Sequence, residues 1–287
     1  MTIPFYIVDV FAEKKYAGNQ LAVFLAAEKL SDIKMQEIAR EINFAESTFV
    51  TAIDSKRKTA TIRIFTPQQE MQFAGHPIIG TSWVLMNKIF ENYPQNIALS
   101  VPIGEIPVRQ EKDLTWLQAA QPTFLKTFIA EDFISFTNLS SADLTTQFPI
   151  QEVTTGSAFV MVAVNTVKAL ENLILDQVKM EAWLRSNCKT NHRAIYFFCL
   201  EATRLTSRML CIENNQLIED AATGSASSCL QAFLLKYHAS EIKIINYQGD
   251  FINRPSQIYF DGKHSDNHFT IQIGGQTKFI ANGEWEV

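Results

Sequence analysis

The pair Gly75-His76 forms the clearest helix-start motif in the chain that also contains a residue able to transfer a proton. It opens the segment HPIIGTSWVLMNKIF, whose length and mostly apolar composition predict a core helix with Pro77 tolerated in its first turn. Near a helix amino terminus an imidazole is biased toward the neutral form, which accepts or donates one proton. The pair predicts a proton-transfer site, although an ordinary glycine at a helix start explains the same residues.

A second glycine, Gly224, precedes the segment ASSCLQAFLLKY in the C-terminal half of the chain, with hydroxyls beside it on Thr223 and Ser225. Two helices that begin at glycines present unpaired backbone N–H groups and positive dipole ends, and no side chain blocks a ligand's approach. Gly75, Gly224 and Ser225 therefore predict a site that binds a carboxylate.

Two acidic residues are candidates for the general acid or base. Asp220, in the run IEDAATGSA, is either a helix N-cap or a catalytic group, and capping is the commoner role. Glu46 lies on the connection from a helix into a strand. A lone acid there is usually solvated, but the apolar neighbours Phe44, Ala45 and Phe49 favour a raised pKa.

These residues need strands and helices to position them. The runs IPFYIVDVF and LAVFL predict two early strands around a turn at Gly18-Asn19. Ser31 predicts the N-cap of a helix that ends near Asn43 and buries residues at helical spacing, namely Met35, Ile38, Ala39 and Ile42. Later strands are predicted from SAFVMVAV, AIYFFCL and RLTSRMLCI, and a helix from DQVKMEAWLRSN.

The two halves resemble each other in order. IRIF at 62–65 precedes Gly75 and its helix, while SRMLC at 207–211 precedes Gly224 and its helix. This pattern predicts an internal duplication, although two unrelated strand-helix units would share it. We place the crossover in the polar, weakly patterned stretch 122–151 and predict an N-terminal half of residues 1–122, completed by about 278–287, and a C-terminal half of residues 123–277.

Composition and residue spacing disfavour several functions. The formal net charge is −5 and no basic cluster is present, which disfavours nucleic acid as a partner. No apolar run reaches membrane-spanning length and no leader segment is evident, so we expect a cytoplasmic protein with no membrane contact. The cysteines lack metal or redox spacing, and His192, His238, His264 and His268 lie in polar segments, so we predict free buried thiols and no metal.

Five strings resemble the phenazine-biosynthesis PhzF-like family over nearly the whole chain: GNQLAVF, AREINFAESTFV, IRIFTPQQEMQFAGHPIIGT, IEDAATGSA and QGDFINRPSQI. The most specific parts are the glutamate of AEST, the Gly-His pair of FAGHP and the run EDAATGSA. The sequence departs from the family at Gln20 and Ala221, where proline is frequent, and at Asn253, where glycine precedes the arginine. None of these changes removes an acid or a base.

The resemblance implies an α+β, diaminopimelate epimerase-like fold of two pseudo-symmetric halves, each a curved, mostly antiparallel sheet around a central helix, with the active site in the cleft between them. It implies a homodimer and a cofactor-independent isomerase that shifts a double bond in a small carboxylate-bearing substrate. By the matching motifs Glu46 is the general acid/base, assisted by His76 and Asp220. The implied substrate-binding residues are Asn19, Gly75, Gly224 and Ser225.

Two other functions stay open. An amino-acid-type epimerase or racemase would use the same cleft to invert a stereocentre, but the related epimerases employ paired cysteines where Gly75 and Asp220 approximately stand here. A metabolite-binding protein of the same fold without catalysis is disfavoured by the presence of Glu46, His76 and Asp220 together.

Overall fold

The computed structural model describes residues 1–188, 194–213, 215–266 and 268–287, so His192 lies outside the described residues. The chain divides into two compact units. The N-terminal unit comprises Met1–Gln118 and Ile273–Val287, and the C-terminal unit comprises Ala119–Gln272. The sequence-based boundaries were drawn at 122/123 and 277/278.

The strands are β1 (Thr2–Val10), β2 (Asn19–Phe24), β3 (Glu46–Asp54), β4 (Thr59–Phe65), β5 (Glu70–Met71), β6 (Asn96–Val101), β7 (Gly104–Glu111), β8 (Leu114–Gln118), β9 (Thr123–Phe128), β10 (Ile150–Thr154), β11 (Ala158–Ala163), β12 (Ala194–Glu201), β13 (Arg204–Glu213), β14 (Gln216–Asp220), β15 (Glu241–Gln248), β16 (Ser256–Ser265), β17 (His268–Gly275) and β18 (Thr277–Glu286). The helices are α1 (Asp32–Ile42), α2 (Gly75–Val84), α3 (Ala130–Ile134), α4 (Val167–Glu171), α5 (Gln177–Asn187) and α6 (Gly224–Tyr237).

The N-terminal unit is a mixed sheet in which antiparallel pairs predominate. β1 pairs antiparallel with β18 and β2, and the hairpins β3–β4, β4–β5, β6–β7 and β7–β8 are also antiparallel. The pairs β2–β3 and β4–β6 are parallel. The second of these parallel pairs is connected through α2, which places that helix on the face of the sheet.

The C-terminal unit repeats this sequence of pairings. The pairs β9–β10, β10–β11, β12–β13, β13–β14 and β15–β16 are antiparallel, while β11–β12 and β13–β15 are parallel. The second parallel pair is connected through α6. The predicted duplication is therefore confirmed, and the strand registers allow paired strand residues of one unit to be compared with those of the other.

The helix that connects the strands of the second parallel pair is the central helix of its unit. It is α2 in the N-terminal unit and α6 in the C-terminal unit. Nine of the ten residues of α2 are buried, and the helix packs against β1, β2, β3, β6, β7, β8 and β18. In α6, eleven of fourteen residues are buried, and the helix packs against β10, β11, β15 and β16. Both helices are thus buried on nearly all sides, as helices inside a core are, which confirms the prediction of a central helix in each half.

Local predictions succeed where one pattern dominates. α1 begins after Ser31, whose hydroxyl accepts from the Lys34 N–H, and ends at the left-handed Asn43. The stretch 122–151 contains β9 and α3, which were not predicted, because its alternation of polar and apolar residues is weak.

Within the described residues, no helix combines the length and apolarity that crossing a bilayer requires.

Candidate active site

Glu46 is the first residue of β3, where it pairs with Leu21 of the parallel strand β2. The sequence placed it on the preceding connection, but that connection is only residues 43–45, since the left-handed Asn43 turns the chain directly out of α1. Strand pairing therefore fixes the Glu46 backbone. Its side chain remains 18% exposed, so the carboxylate reaches a solvent-accessible surface.

His76 is the second residue of α2 and lies behind this carboxylate. Its Nε2 atom is 3.6 Å from Oε2 of Glu46, and the imidazole is 4% exposed. On its other side, Nδ2 of Asn19 is 3.4 Å from Nδ1 of His76. The N-terminal unit thus brings together four residues singled out from the sequence: Asn19, Glu46, Gly75 and His76.

Each ring nitrogen of His76 faces one polar side chain. Nδ1 faces the amide of Asn19, and Nε2 faces the carboxylate of Glu46 at a distance longer than a hydrogen bond. The carboxylate and the imidazole are therefore adjacent without a hydrogen bond between them.

His76 is neutral in the folded protein. Burial lowers its pKa from 6.5 to about 3, and a hydrogen bond with the Gln20 backbone opposes that effect. A neutral form was predicted from the position at a helix amino terminus, but desolvation is the main cause. The contact with Glu46 is therefore between a carboxylate and a neutral imidazole, and it is not an ion pair.

Packing holds α2 against the strands that carry these residues. Thr48 and Thr81 share a hydrogen bond of 2.8 Å, which ties α2 to β3 two residues from Glu46. A Cβ on Gly80 would lie 2.6 Å from side-chain atoms of both Leu21 and Val10, so only glycine allows this close approach. The relative position of His76 and Glu46 therefore depends on the core.

The C-terminal unit positions the other candidate residues, Asp220, Gly224 and Ser225. Asp220 is the last residue of β14 and pairs with Met209. The N-cap of α6 is Thr223, not Asp220, so the structure excludes the capping role that the sequence left open. The hydroxyl of Thr223 instead donates to Oδ2 of Asp220 at 2.5 Å.

Neither central helix is capped by a side chain at its amino end. Ala74 precedes α2 and Thr223 precedes α6, and neither accepts a bond from a first-turn N–H. The surface helices α1, α4 and α5 do have such caps, from Ser31, Thr166 and Asp176. The first turns that begin at Gly75 and Gly224 are therefore suited to bind an anion through the backbone.

Two arginine–glutamate pairs, which sequence analysis missed, hold the strands that lead into the central helices. Arg63 binds both carboxylate oxygens of Glu70, at 2.7 and 2.6 Å. Arg208 binds both oxygens of Glu219, at 3.0 and 2.6 Å. Each glutamate lies five residues before the glycine of its helix, and this shared spacing was the available signal.

The cysteines and the remaining histidines lie apart from these residues. Cys199, Cys211 and Cys229 are buried free thiols, as predicted, and Cys188 is partly buried. The ring of His264 stacks on Phe269 with centroids 3.9 Å apart. Within the described ranges, no three histidine, cysteine or acidic side chains lie close enough together to hold a metal ion.

A family model for phenazine biosynthesis-like proteins, PhzC-PhzF, matches residues 8–283. The chain belongs to this PhzF family. A family member from Pseudomonas fluorescens, trans-2,3-dihydro-3-hydroxyanthranilate isomerase, is 34% identical over 97% of this chain and 98% of its own length. An uncharacterized isomerase from Pasteurella multocida is 29% identical over 98% of this chain and 93% of its own length. The protein is accordingly a PhzF-like isomerase.

Solved structures agree with the fold. A Bacillus anthracis protein of the PhzF family superposes with a TM-score of 0.88 at 23% identity, covering 100% of both chains. A hydroxyproline epimerase from Agrobacterium vitis superposes with a TM-score of 0.65 at 10% identity, covering 99% of this chain and 92% of the epimerase. The PhzF-like chain therefore has the diaminopimelate epimerase-like α+β fold predicted from its motifs.

Proposed function

We propose that the protein catalyses a double-bond shift in a small carboxylate-bearing metabolite, with Glu46 as general acid/base and without a cofactor. The observation that carries this proposal is the contact between Glu46 and neutral His76. Glu46 is the more exposed of the two and lies in front of a buried imidazole, so the carboxylate is the group that meets the substrate. His76 supports it from behind.

In the proposed reaction, Glu46 takes a proton from a carbon activated by a neighbouring carboxylate or enamine. The electron pair of the broken C–H bond forms the new double bond, and the electrons of the old double bond take the proton from Glu46 at another carbon on the same face. His76 supports Glu46 between turnovers through the contact of 3.6 Å between its Nε2 atom and the carboxylate.

The remaining roles are also part of the proposal. Asp220 assists the proton transfer, and Asn19 contributes to substrate binding beside His76. The uncapped first turns at Gly75 and Gly224, with the hydroxyl of Ser225, bind the substrate carboxylate. The homodimer implied by the resemblance stays a prediction.

The register comparison favours isomerisation over two-base epimerisation. The position equivalent to Glu46 in the C-terminal unit is Ala194, and the position equivalent to Asp220 in the N-terminal unit is Met71. Neither the position of Glu46 nor that of Asp220 carries an acid in both units. This arrangement differs from the paired thiols of the related epimerases and supports a reaction centred on one carboxylate.

The first substrate to test is trans-2,3-dihydro-3-hydroxyanthranilate, the compound in the name of the Pseudomonas fluorescens relative. The purified protein is incubated with it in deuterium oxide and followed by proton NMR. A moved double bond supports the proposal. Deuterium at an inverted stereocentre with the double bonds unmoved supports an epimerase, and binding without turnover supports a binding protein.

Glu46→Gln tests the assigned residue. We expect the rate to fall by about 10²- to 10⁴-fold, the range for loss of a general acid or base. Glu41→Gln, an exposed acid on α1 of the same unit, is the matched control and keeps the wild-type rate. Turnover by Glu46→Gln at the wild-type rate would refute the assignment.

A further inference from the structure

A network of buried polar side chains lies beneath Asp220 in the C-terminal unit. Its members share complete or nearly complete burial and come from three strands and the start of α6: Tyr196, Ser207, Thr223, Ser227, Asn246 and Gln248. Buried polar groups destabilise a fold unless they are all hydrogen-bonded. The proton positions in this network can be deduced from its backbone contacts.

Gln248 fixes the direction of the hydrogen bonds nearest to Asp220. Its Nε2 donates to the backbone carbonyl of Asp220 at 2.9 Å, and its Oε1 accepts from the backbone N–H of Thr223 at 3.2 Å. Because a carbonyl only accepts and an N–H only donates, the amide has one orientation. Nε2 also donates to the hydroxyl of Thr223 at 3.0 Å, which leaves the Thr223 proton for Oδ2 of Asp220.

The hydroxyl of Tyr196 continues this series of hydrogen bonds into the core, with the donors in the same order. Its hydroxyl is 2.7 Å from Oε1 of Gln248, and since that oxygen only accepts, Tyr196 donates. Nδ2 of Asn246 donates to the Tyr196 oxygen at 2.8 Å, and the hydroxyl of Ser207 donates to Oδ1 of Asn246 at 2.9 Å. Aligned hydrogen bonds polarise one another. These three side-chain hydrogen bonds therefore run in one direction, toward Gln248.

The backbone around Asp220 is held by the loop that follows β15. The hydroxyl of Ser256 is 2.9 Å from the carbonyl of Ala221. Gly249, at φ +78°, approaches so closely that an added Cβ would lie 2.6 Å from the same carbonyl. The N-terminal unit has only the two-residue turn 102–103 at the equivalent place, between β6 and β7.

Four of the six network positions carry apolar residues in the N-terminal unit, so the fold does not require polar residues there. At the equivalent positions of the N-terminal unit, Ser207 corresponds to Ile62, Ser227 to Ile78, Asn246 to Leu99 and Gln248 to Val101. These four residues are buried hydrophobics. Replacing both partners of a buried polar contact by well-packed apolar side chains is often nearly neutral for stability, so packing alone does not account for polar residues in one unit. What distinguishes this unit is Asp220, whose counterpart is Met71.

We propose that Tyr196, Gln248 and Thr223 are positioning residues that hold the Asp220 carboxylate ionised and oriented for the reaction. Tyr196 serves as a permanent donor, because burial raises the pKa of its hydroxyl to about 12. Thr223 makes the final hydrogen bond, and Gln248 ensures that the Thr223 proton points outward to Asp220. The catalytic consequence rests on the proposed function, whereas the effect on Asp220 does not.

The decisive measurement is therefore the carboxyl pKa of Asp220, followed by carbon-13 NMR in protein labelled at aspartate and assigned with Asp220→Asn. Thr223→Val removes the hydroxyl and keeps the shape, and we expect the Asp220 pKa to rise by about one unit. Thr223→Ser restores the donor and the wild-type titration. Tyr196→Phe raises the pKa by a smaller amount, since it acts through Gln248.

Activity supplies the second measurement. Tyr196→Phe should lower kcat about 10-fold with little change in KM, and should move the acid limb of the pH–rate profile to higher pH. Tyr237→Phe is the matched control, because it removes a hydroxyl that donates to Gln151 at 2.8 Å in the same unit, and it leaves kcat unchanged.

An unchanged Asp220 titration in folded Thr223→Val and Tyr196→Phe would overturn the proposal, whatever the activity. Near-ultraviolet circular dichroism establishes that each variant is folded. If the titration shifts as expected but the wild-type protein shows no turnover of any carboxylate tested, the network stands and the proposed function fails. The two inferences are thus tested separately.

Discussion

Asp220 and Met71 occupy equivalent positions in the two units, each four residues before the glycine that opens a central helix and each paired with the strand carrying the arginine of an ion pair. One position carries an acid supported by buried hydrogen bonds, and the other carries a thioether. The duplicated scaffold has therefore kept its geometry while its chemistry became asymmetric.

The burial of His76 predicts a pH-dependent stability. Its folded-state pKa of about 3 lies below the ordinary value of 6.5, so the unfolded chain binds the proton more tightly. The burial of His76 therefore has no pH-dependent effect on the free energy of unfolding above pH 6.5. It lowers that free energy progressively as the pH falls from 6.5 toward 3. Urea unfolding at pH 7.5 and pH 5 should show a smaller loss of stability in His76→Gln than in wild type.

The control for that measurement is His268→Gln, because His268 is exposed and should behave as wild type. Equal pH dependence in His76→Gln and wild type would show that His76 is not the group responsible.

The two arginine–glutamate pairs should differ in their contribution to stability. Arg208 and Glu219 are 11% and 9% exposed, whereas Arg63 and Glu70 are 24% and 36% exposed. Glu219→Gln leaves a buried guanidinium without its partner and should cost about 3 kcal/mol of unfolding free energy. Glu70→Gln is the equivalent change at a more solvent-exposed site, and it should lower the free energy of unfolding by about 1 kcal/mol or less. Similar losses in chemical denaturation would contradict this ordering.

Gly249→Ala should disturb Asp220 through the backbone. An alanine at φ +78° is strained, and its Cβ would also meet the carbonyl oxygens of Arg254 at 2.3 Å and Ala221 at 2.6 Å. Gly104→Ala is the control, since Gly104 has φ +131° and nothing lies within 4 Å of its added Cβ. Both variants carry backbone strain of about 1–3 kcal/mol.

Only Gly249→Ala adds a steric clash, so it should unfold at a lower urea concentration than Gly104→Ala and lose isomerase activity. Gly104→Ala should keep its activity. Full activity in Gly249→Ala would show that the Ala221 segment tolerates displacement.

The proposed reaction does not use a thiol. Cys229 is fully buried on α6, burial raises its pKa to about 12, and its sulfur lies 3.5 Å from the Thr155 hydroxyl. Iodoacetamide should therefore leave activity intact at pH 8, and Cys229→Ala should retain the wild-type kcat. Substrate-protected inactivation by iodoacetamide would instead indicate cysteine chemistry. Labelling in urea is the positive control.

Short-range patterns carried much of the sequence prediction. Ser31 and Asn43 mark both ends of α1 because capping is a local property of the backbone. The candidate residues Glu46, His76 and Asp220 came from motifs whose members lie within a few positions of each other. Glu46 was misplaced by one residue, because the point at which strand pairing begins depends on β2.

Long-range contacts were not predictable in the same way. Tyr196 and Gln248 meet across 52 residues, and neither lies in a segment whose composition points to a polar contact. The pairing of Arg208 with Glu219 depends on the register of a hairpin. The neutral form of His76 was expected from its position at a helix start. The size of its pKa shift, however, comes from burial, which only the assembled core determines.

The pairing of β1 with β18 has a consequence for the order of folding. β1 is joined to β18 along its whole length, from Thr2 with Glu286 to Val10 with Thr277. During synthesis, every residue of the C-terminal unit leaves the ribosome before β18 does, so that unit can complete its sheet first. The N-terminal unit begins earlier and finishes later, and until β18 arrives one edge of β1 exposes unpaired backbone groups, a template for wrong partners.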